Sequence, residues 1–523
     1  MDTDTRANPR QSPACWPIPI CRLYTKRSKS VAARITRLAC IMMKLARHVG
    51  LLPPGLANLF LAPLATLQAA DVPPQKPNIL VIMADDLGYA DIPAHDGKGL
   101  VMPHLDALTR EGVRFSNGYV TSPQCSPSRC GLLTGIYNQR FGHEHNGCQR
   151  AAFDTGAKTL AEHLRPSGYA TAAYGKWHLG DNVDSHHPTR HGFDEAWGFK
   201  EYAEAAKTGQ PGFPVPLQPA NAYHAQAFAT RAAAFIEAHA EQPWFIYLAF
   251  HEPHVQVIPT DESDSLTRTG SDDPLRQKCL GALHDLDAGV GIVLARLRAL
   301  TLEERTLVVF LSDNGAPIDA FEVAEQAGKK RKIPKPPKSD GQSAAAAEEK
   351  NDDKAVNGSR NDPLRGRKGL AWEGGIRVPF VMAWKNTLPA GLVYEQPVIS
   401  LDIAATALAA ADTAPLAGTK LDGVNLLPFL RGESKAAPHE QLFWRYADRS
   451  LFAVREGRWK LVQSHTPSPQ LFDLDADIGE HTDVSAQHPD IVTRLQAAWD
   501  EWDATLEPPA LDKAIAKKSK TTK

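Results

Sequence analysis

Four apolar runs in this chain end abruptly in charged or amide side chains. "NILVIMADD" is apolar through Ala84 and stops at Asp85 and Asp86. "YATAAYGKWHLG" ends in Lys176 and His178, "WFIYLAFHEPH" in His251 and His254, and "TLVVFLSDNG" in Asp313 and Asn314. Continuous runs of this kind predict strands buried on both faces, as in a parallel sheet covered by helices. Their polar ends then collect at the carboxyl edge of the sheet, where such folds assemble their sites.

Helical patterns separate the strands: "TLAEHLRPSG", "AQAFATRAAAFIEAH" and "CLGALHDLDAGVGIVLARLRAL". The alternation predicts an α/β fold with a large, mostly parallel (mixed) sheet sandwiched by helices. From Glu322 to Arg360 it is broken by "GKKRKIPKPPKSDGQSAAAAEEKNDDK", a composition that predicts a solvated, disordered insertion. It resumes in "GIRVPFVMAW" and "PVISLDIAATALAAA". From about His439, short aromatic runs in "QLFWRYADRSLFAVREGRWKLVQ" and the amphipathic "PDIVTRLQAAWDEWDATL" predict a small antiparallel sheet with one helix. The expected organisation is an N-terminal extension over 1–70, an α/β domain over 71–436, an α+β subdomain over 437–508 and a flexible tail over 509–523.

Composition mainly excludes. Lys+Arg 58 against Asp+Glu 60 leaves a formal charge of −2, so no nucleic-acid partner is expected. A basic docking patch at "KKRK" ranks behind a plain loop insertion. Seven cysteines in 523 residues exclude a disulfide scaffold. Cys15, Cys21 and Cys40 precede the folded region; Cys125, Cys130, Cys148 and Cys279 match no zinc module, and a Cys130–Cys148 disulfide stays open. "MKLARHVGLLPPGLANLFLAPLATLQAA" has the layout of a secretory signal starting at Met42 or Met43, which predicts export to the periplasm or the extracellular space. Pro53, Pro54 and Pro63 interrupt its apolar run, so no stable membrane anchor is expected.

Asp85, Asp86, Asp313 and Asn314 offer only oxygen ligands. Their carboxylates would repel one another without a cation, so a shared site wants a hard divalent ion, calcium ahead of zinc. A second group is cationic: Arg129, Lys176, His178, His254 and, in "RGRKGLAWEGG", Lys368. Any one of these taken alone reads as surface or packing, but beside a divalent ion they suit a tetrahedral oxyanion, sulfate or phosphate. "PQCSPSRCGLLTG" places Cys125, Pro127 and Arg129 at alternating positions just before a helix-like segment. A thiolate there has no thiol-protease signature around it and is a poor partner for a hard ion.

"CSPSR" followed by "GLLTG" matches a Cys-x-Pro-x-Arg signature, and "PNILVIMADDLGYADI", "YGKWHLG", "HGFDEAWGF", "FHEPH", "LSDNG", "RGRKGLAWEGGIRVP" and "LFDLDADIGEHTDV" follow in family order. From Pro77 to about Leu506 the chain resembles the type I, formylglycine-dependent sulfatases of the alkaline-phosphatase superfamily. The resemblance implies that a formylglycine-generating or anaerobic sulfatase-maturating enzyme oxidises Cys125 to formylglycine, whose hydrate supplies an oxygen nucleophile. It implies one calcium ion held by Asp85, Asp86, Asp313, Asn314 and residue 125. Arg129 would stabilise the hydrate and aid the metal site; Lys176 and Lys368 would clamp the sulfate, Lys368 near the leaving oxygen.

By the same resemblance His178 would take a proton from the second hydroxyl, and His254, which follows Pro253, would contact the sulfate and protonate the departing alcohol. His251 would face the substrate. Attack at sulfur, release of alcohol and elimination of sulfate would complete the cycle. The expected substrate is a sulfate ester, foremost a sulfated carbohydrate, with aryl sulfates as assay substrates. The insertion departs from the family spacing, and Cys130 is expected to be a packed core thiol. Two rivals stand beside this reading: a phosphonate monoester hydrolase or phosphodiesterase of the same superfamily, and a sulfated-glycan binder with Cys125 unmodified.

Overall fold

Strand β1 (Asn78–Ala84) is buried along its whole length, and its alternate residues enter two different cores. Ile79, Val81 and Met83 face one; Leu80, Ile82 and Ala84 face the other. The same two-way split runs through β6 (Trp244–Ala249) and β7 (Thr306–Ser312), which flank β1. A period of two in a fully covered strand leaves no exposed face, which is why the sequence reads as unbroken apolar runs.

The structure is a computed structural model that describes residues 76–95, 100–148, 153, 155–180, 183–198, 225–254, 259–267, 271–318 and 356–508. The expected extension and signal, the tail over 509–523 and most of the insertion lie outside the described residues.

Eight strands form the main sheet, in the order β5-β4-β6-β1-β7-β8-β2-β9. The others are β2 (Val113–Phe115), β4 (Ala170–Gly175), β5 (Glu195–Trp197), β8 (Phe380–Ala383) and β9 (Leu392–Tyr394). β5, β4, β6, β1 and β7 are parallel, whereas β8 runs antiparallel to both neighbours. The sheet is therefore mixed and mostly parallel, as expected. β3 (Gly118–Tyr119) and β10 (Val398–Ile399) pair separately. Helices Pro103–Glu111, Ala225–Ala238 and Pro274–Ala299 cover one face, while Cys125–Thr134, Leu160–Leu164 and Leu401–Ala410 cover the other.

β11 (Leu442–Tyr446), β12 (Asp448–Glu456), β13 (Trp459–Ser464) and β14 (Gln470–Asp473) make the antiparallel C-terminal sheet, covered by helix Pro489–Ala504. Leu495, Trp499 and Trp502 pack there beside Tyr119, Trp372 and Leu401, so the third core is shared with the α/β part. Burying each such side chain stabilises the fold by roughly 1.5–3 kcal/mol. No helix of the described residues is long and apolar enough to cross a membrane.

Two sequence expectations change, and one open question closes. The insertion was expected to run to Arg360, yet residues 356–360 are ordered: Asn357 and Ser359 are buried and hydrogen-bonded. A few polar residues with specific partners are invisible in a composition average taken over the whole segment. The helix-like segment after the Cys-x-Pro-x-Arg signature begins at Cys125 itself. Pro127 is tolerated because the N–H groups of a first helical turn have no intrahelical partner. None of Cys125, Cys130, Cys148 and Cys279 is disulfide-bonded, so the bridge left open between Cys130 and Cys148 is not formed; Cys130 packs in the core as expected.

Candidate active site

The strand register brings the polar ends level. Gly175 of β4 pairs with Ala249 of β6, Met83 of β1 pairs with the same Ala249, and Ala84 pairs with Ser312 of β7. Lys176, Asp85 and Asp313 therefore leave the sheet side by side. At Gly175, with φ +91°, a Cβ would lie 1.8 Å from the Ala249 carbonyl oxygen, so only glycine lets the chain turn there.

Successive residues of a strand point to opposite faces, so Asp85 and Asp86 need a bend to converge. Asp86 supplies it with φ +62°, in the left-handed region. Its N–H donates to Asp313 Oδ1 at 3.1 Å, and the N–H of Asp85 donates to the carbonyl of Glu252 at 3.1 Å. Both carboxylates then face Cys125, whose Sγ lies 3.6 Å from Asp85 Oδ1 and 3.8 Å from Asp86 Oδ1.

Three cations are buried among these acids. Lys176 Nζ donates to both oxygens of Asp85 at 2.9 and 2.7 Å, and Lys368 Nζ to Asp86 Oδ2 at 3.1 Å. Arg129 donates Nε and Nη2 to Asp313 Oδ2 and Nη1 to the Lys176 carbonyl and the Tyr247 hydroxyl. Asn314 Nδ2 donates to Asp86 Oδ1 at 2.6 Å. His254 Nε2 lies 3.6 Å from Asp86 Oδ2, and His251 Nδ1 lies 4.0 Å from Asp85 Oδ2, both at the more open side. The loop carrying Lys368 is tied to the segment leading into Cys125, because Gly369 N–H donates to the Pro123 carbonyl at 2.8 Å. Asp85, Asp86, Lys176, His251, His254, Asp313 and Asn314 from the strand ends thus meet Cys125, Arg129 and Lys368 in one place, and His178 is buried within reach of the charges of Lys176, Arg129 and Asp85.

Burial works against the charge of Asp85, but Lys176, His254, Arg129 and Lys368 outweigh it and hold its carboxyl well below the usual range. Burial dominates at Asp86, which is pushed up to about 6 with help from Asp85 and Asp313. Asp313 is raised for the same first reason. Burial and the neighbouring Asp313 drive the Cys125 thiol well above its ordinary value, so a thiolate nucleophile is disfavoured here. His178 is held well below its ordinary value by burial and by Lys176.

The oxygen donors of the site suit a divalent cation, whereas the Cys125 sulfur among them does not suit a hard one. Ligand atoms of Asp85, Asp86, Cys125 and His254 lie within 4.8 Å of one another, and the buried Asn314 Oδ1 has no hydrogen-bond partner. A buried carbonyl oxygen without a donor is costly in a folded protein, and a cation satisfies it. Asp313, expected among the ligands, stands beside this group with its oxygens engaged by Arg129 and Asp86 N–H.

Several contributors were not singled out from sequence. Tyr247 is the inward-facing residue of β6 under Arg129, a position that strand alternation alone could have indicated. Asn357 donates Nδ2 to the carbonyls of Asp86 and Pro253, at 3.1 and 2.8 Å, and bears no local signal.

A sulfatase family model matches residues 77–413, and the C-terminal model of N-sulphoglucosamine sulphohydrolase matches 367–503. The steryl-sulfatase of Mus musculus is 28% identical, over 87% of this chain and 86% of its own length. The N-acetylgalactosamine-6-sulfatase of Rattus norvegicus is 31% identical, over 74% of this chain and 71% of its own. The solved structure of Ps i-CgsB in complex with k-i-k-neocarrahexaose superposes with a TM-score of 0.68 at 28% identity, covering 83% of this chain and 94% of that one. A phosphonate monoester hydrolase of Agrobacterium radiobacter shares the fold, with a TM-score of 0.56 at 21% identity over 82% of this chain and 95% of that one.

Proposed function

The chain belongs to the sulfatase family and hydrolyses a sulfate ester, and we propose that its substrate is a sulfated carbohydrate and that it acts through formylglycine made from Cys125 and one calcium ion. The observation that carries this reading is the placement of Cys125 at the head of a helix, facing Asp85 and Asp86 within a ring of buried cations. The thiol is a poor nucleophile there, while an oxygen at the same position matches the carboxylate neighbours and a hard ion.

When present, the formylglycine hydrate supplies an oxygen nucleophile and the divalent cation acts as a Lewis acid toward a sulfate oxygen. Asp85, Asp86, Asp313 and Asn314 would hold the ion. Lys176 and Lys368, which hold Asp85 and Asp86 here, would bind the sulfate oxygens. Arg129 keeps Asp313 oriented. His178, neutral through burial, is able to accept a proton from the group at 125; His254, at the open side, gives one to the departing alcohol oxygen. His251 faces the substrate.

A carbohydrate substrate is supported by relatives named for N-acetylgalactosamine-6-sulfate chemistry and by the structural likeness to a protein solved with a neocarrahexaose. A separate maturating enzyme is required as partner, and the N-terminal pattern supports export to the periplasm or outside the cell. Comparing kcat/KM for an aryl sulfate and an aryl phosphonate tests the reading. Preference for the sulfate is expected; preference for the phosphonate would move the chain to the rival phosphonate hydrolase activity.

A further inference from the structure

We infer that Ser126, held by His143, is a positioning residue that sets His178 against position 125. The inference rests on the catalytic role proposed for His178.

His178 has φ +59°, a left-handed conformation that only a few non-glycine residues adopt, histidine more often than most. Such a backbone persists only where its surroundings fix it. A hydrogen bond on this backbone comes from the residue directly after Cys125: Ser126 Oγ donates to the His178 carbonyl oxygen at 2.6 Å. A carbonyl only accepts, so the serine spends its proton there. His143 Nε2 lies 2.7 Å from the same Oγ and must then carry the hydrogen and donate. Burial, with His145 nearby, keeps His143 neutral by lowering its pKa to about 3, and its Nδ1 meets no partner, so the ring's hydrogen bonding is spent on Ser126.

His143 is itself anchored. Asn138 Nδ2 donates to its carbonyl at 2.6 Å, and Asn146 Oδ1 accepts the Ser126 N–H at 3.1 Å. The adjacent Glu144 is clamped by the fully buried Arg445 of β11, with Nη2 to Oε1 at 2.6 Å. A rigid path thus runs from the C-terminal sheet to the residue beside the nucleophile, and from there to the proton acceptor. The hydrogen bonds named above end at the His178 carbonyl and do not include the ammonium groups of Lys176 and Lys368, so the path should affect proton transfer more than substrate affinity.

The test uses the full chain, matured and calcium-loaded, with conversion at Cys125 measured by peptide mass spectrometry. At equal conversion, Ser126→Ala should lower kcat about ten- to a hundredfold with KM unchanged, the scale expected for a small misplacement of a reacting group. Ser126→Thr, which keeps the hydroxyl, should restore it. Crystal structures of both variants should show His178 leaving its left-handed conformation in the alanine form alone. An alanine variant with wild-type kcat, or one in which His178 does not move, overturns the inference, as does a threonine form as impaired as the alanine. If the wild type releases no sulfate, the sulfatase reading fails, while the crystallographic comparison still decides the positioning claim.

Discussion

Arg129 donates both Nε and Nη2 to a single oxygen of Asp313, at 2.9 and 2.6 Å, with both side chains fully buried. The remaining Asp313 oxygen is left for the backbone N–H of Asp86, and the remaining Arg129 donor for the Lys176 carbonyl and Tyr247. One guanidinium therefore ties the ends of β7 and β4 to the middle of β6.

Removing that guanidinium strands buried carboxylates. Arg129→Ala should cost about 3–5 kcal/mol, the usual scale for breaking a buried ion pair. Arg129→Lys keeps the charge but loses the forked geometry and should recover only part of it. Denaturant unfolding of the unmodified chain reads this without dependence on maturation, and an unchanged midpoint would contradict it.

Cation binding should raise stability, because Asp85, Asp86 and Asp313 are packed together. Calcium at a hundred times its Kd should add about 2.7 kcal/mol. Thermal scans in chelator and in calcium measure the shift. Asp86→Asn should lose most of it; an equal shift in that variant would remove Asp86 from the site.

Asn357 reaches a site residue 271 positions away in sequence. Asn357→Ala leaves the buried carbonyls of Asp86 and Pro253 without their donor. Calorimetry should show calcium affinity falling about tenfold or more, the scale for residues that orient metal ligands. Unchanged affinity would limit Asn357 to anchoring the end of the insertion.

Lys460 lies buried between Glu373 and Glu480, at 2.9 and 2.8 Å. Burial, opposed by Lys460 and helped by Glu373, pushes Glu480 up to about 7. An acid with a raised folded pKa holds its proton more tightly when folded, so stability falls as pH rises from about 4.5 through about 7 and levels above. Urea unfolding across that window should show a negative slope that flattens in Glu480→Gln. A slope unaffected by the substitution would assign it elsewhere.

The strand ends were legible because a strand covered on both faces is a continuous apolar run, and its end is where polarity returns. Asp85, Asp86, Lys176, His251, His254, Asp313 and Asn314 all stand at such ends. Arg129 and Lys368 stood out through the family signature more than through periodicity. Ser126, His143 and Asn357 were not legible, since a single polar residue that meets its partner far along the chain leaves no period and no run. The ordered end of the insertion was hidden in the same way: Asn357 and Ser359 look like loop residues until Asp86, Asp91 and Pro253 are placed beside them.

The most direct measurement is peptide mass spectrometry at Cys125, on protein co-produced with a formylglycine-generating enzyme, paired with sulfate release from an aryl sulfate. Replacement of the thiol by an aldehyde is expected, with calcium-dependent release abolished in Cys125→Ala. Turnover with the thiol intact, or complete conversion with no sulfate released, would contradict it.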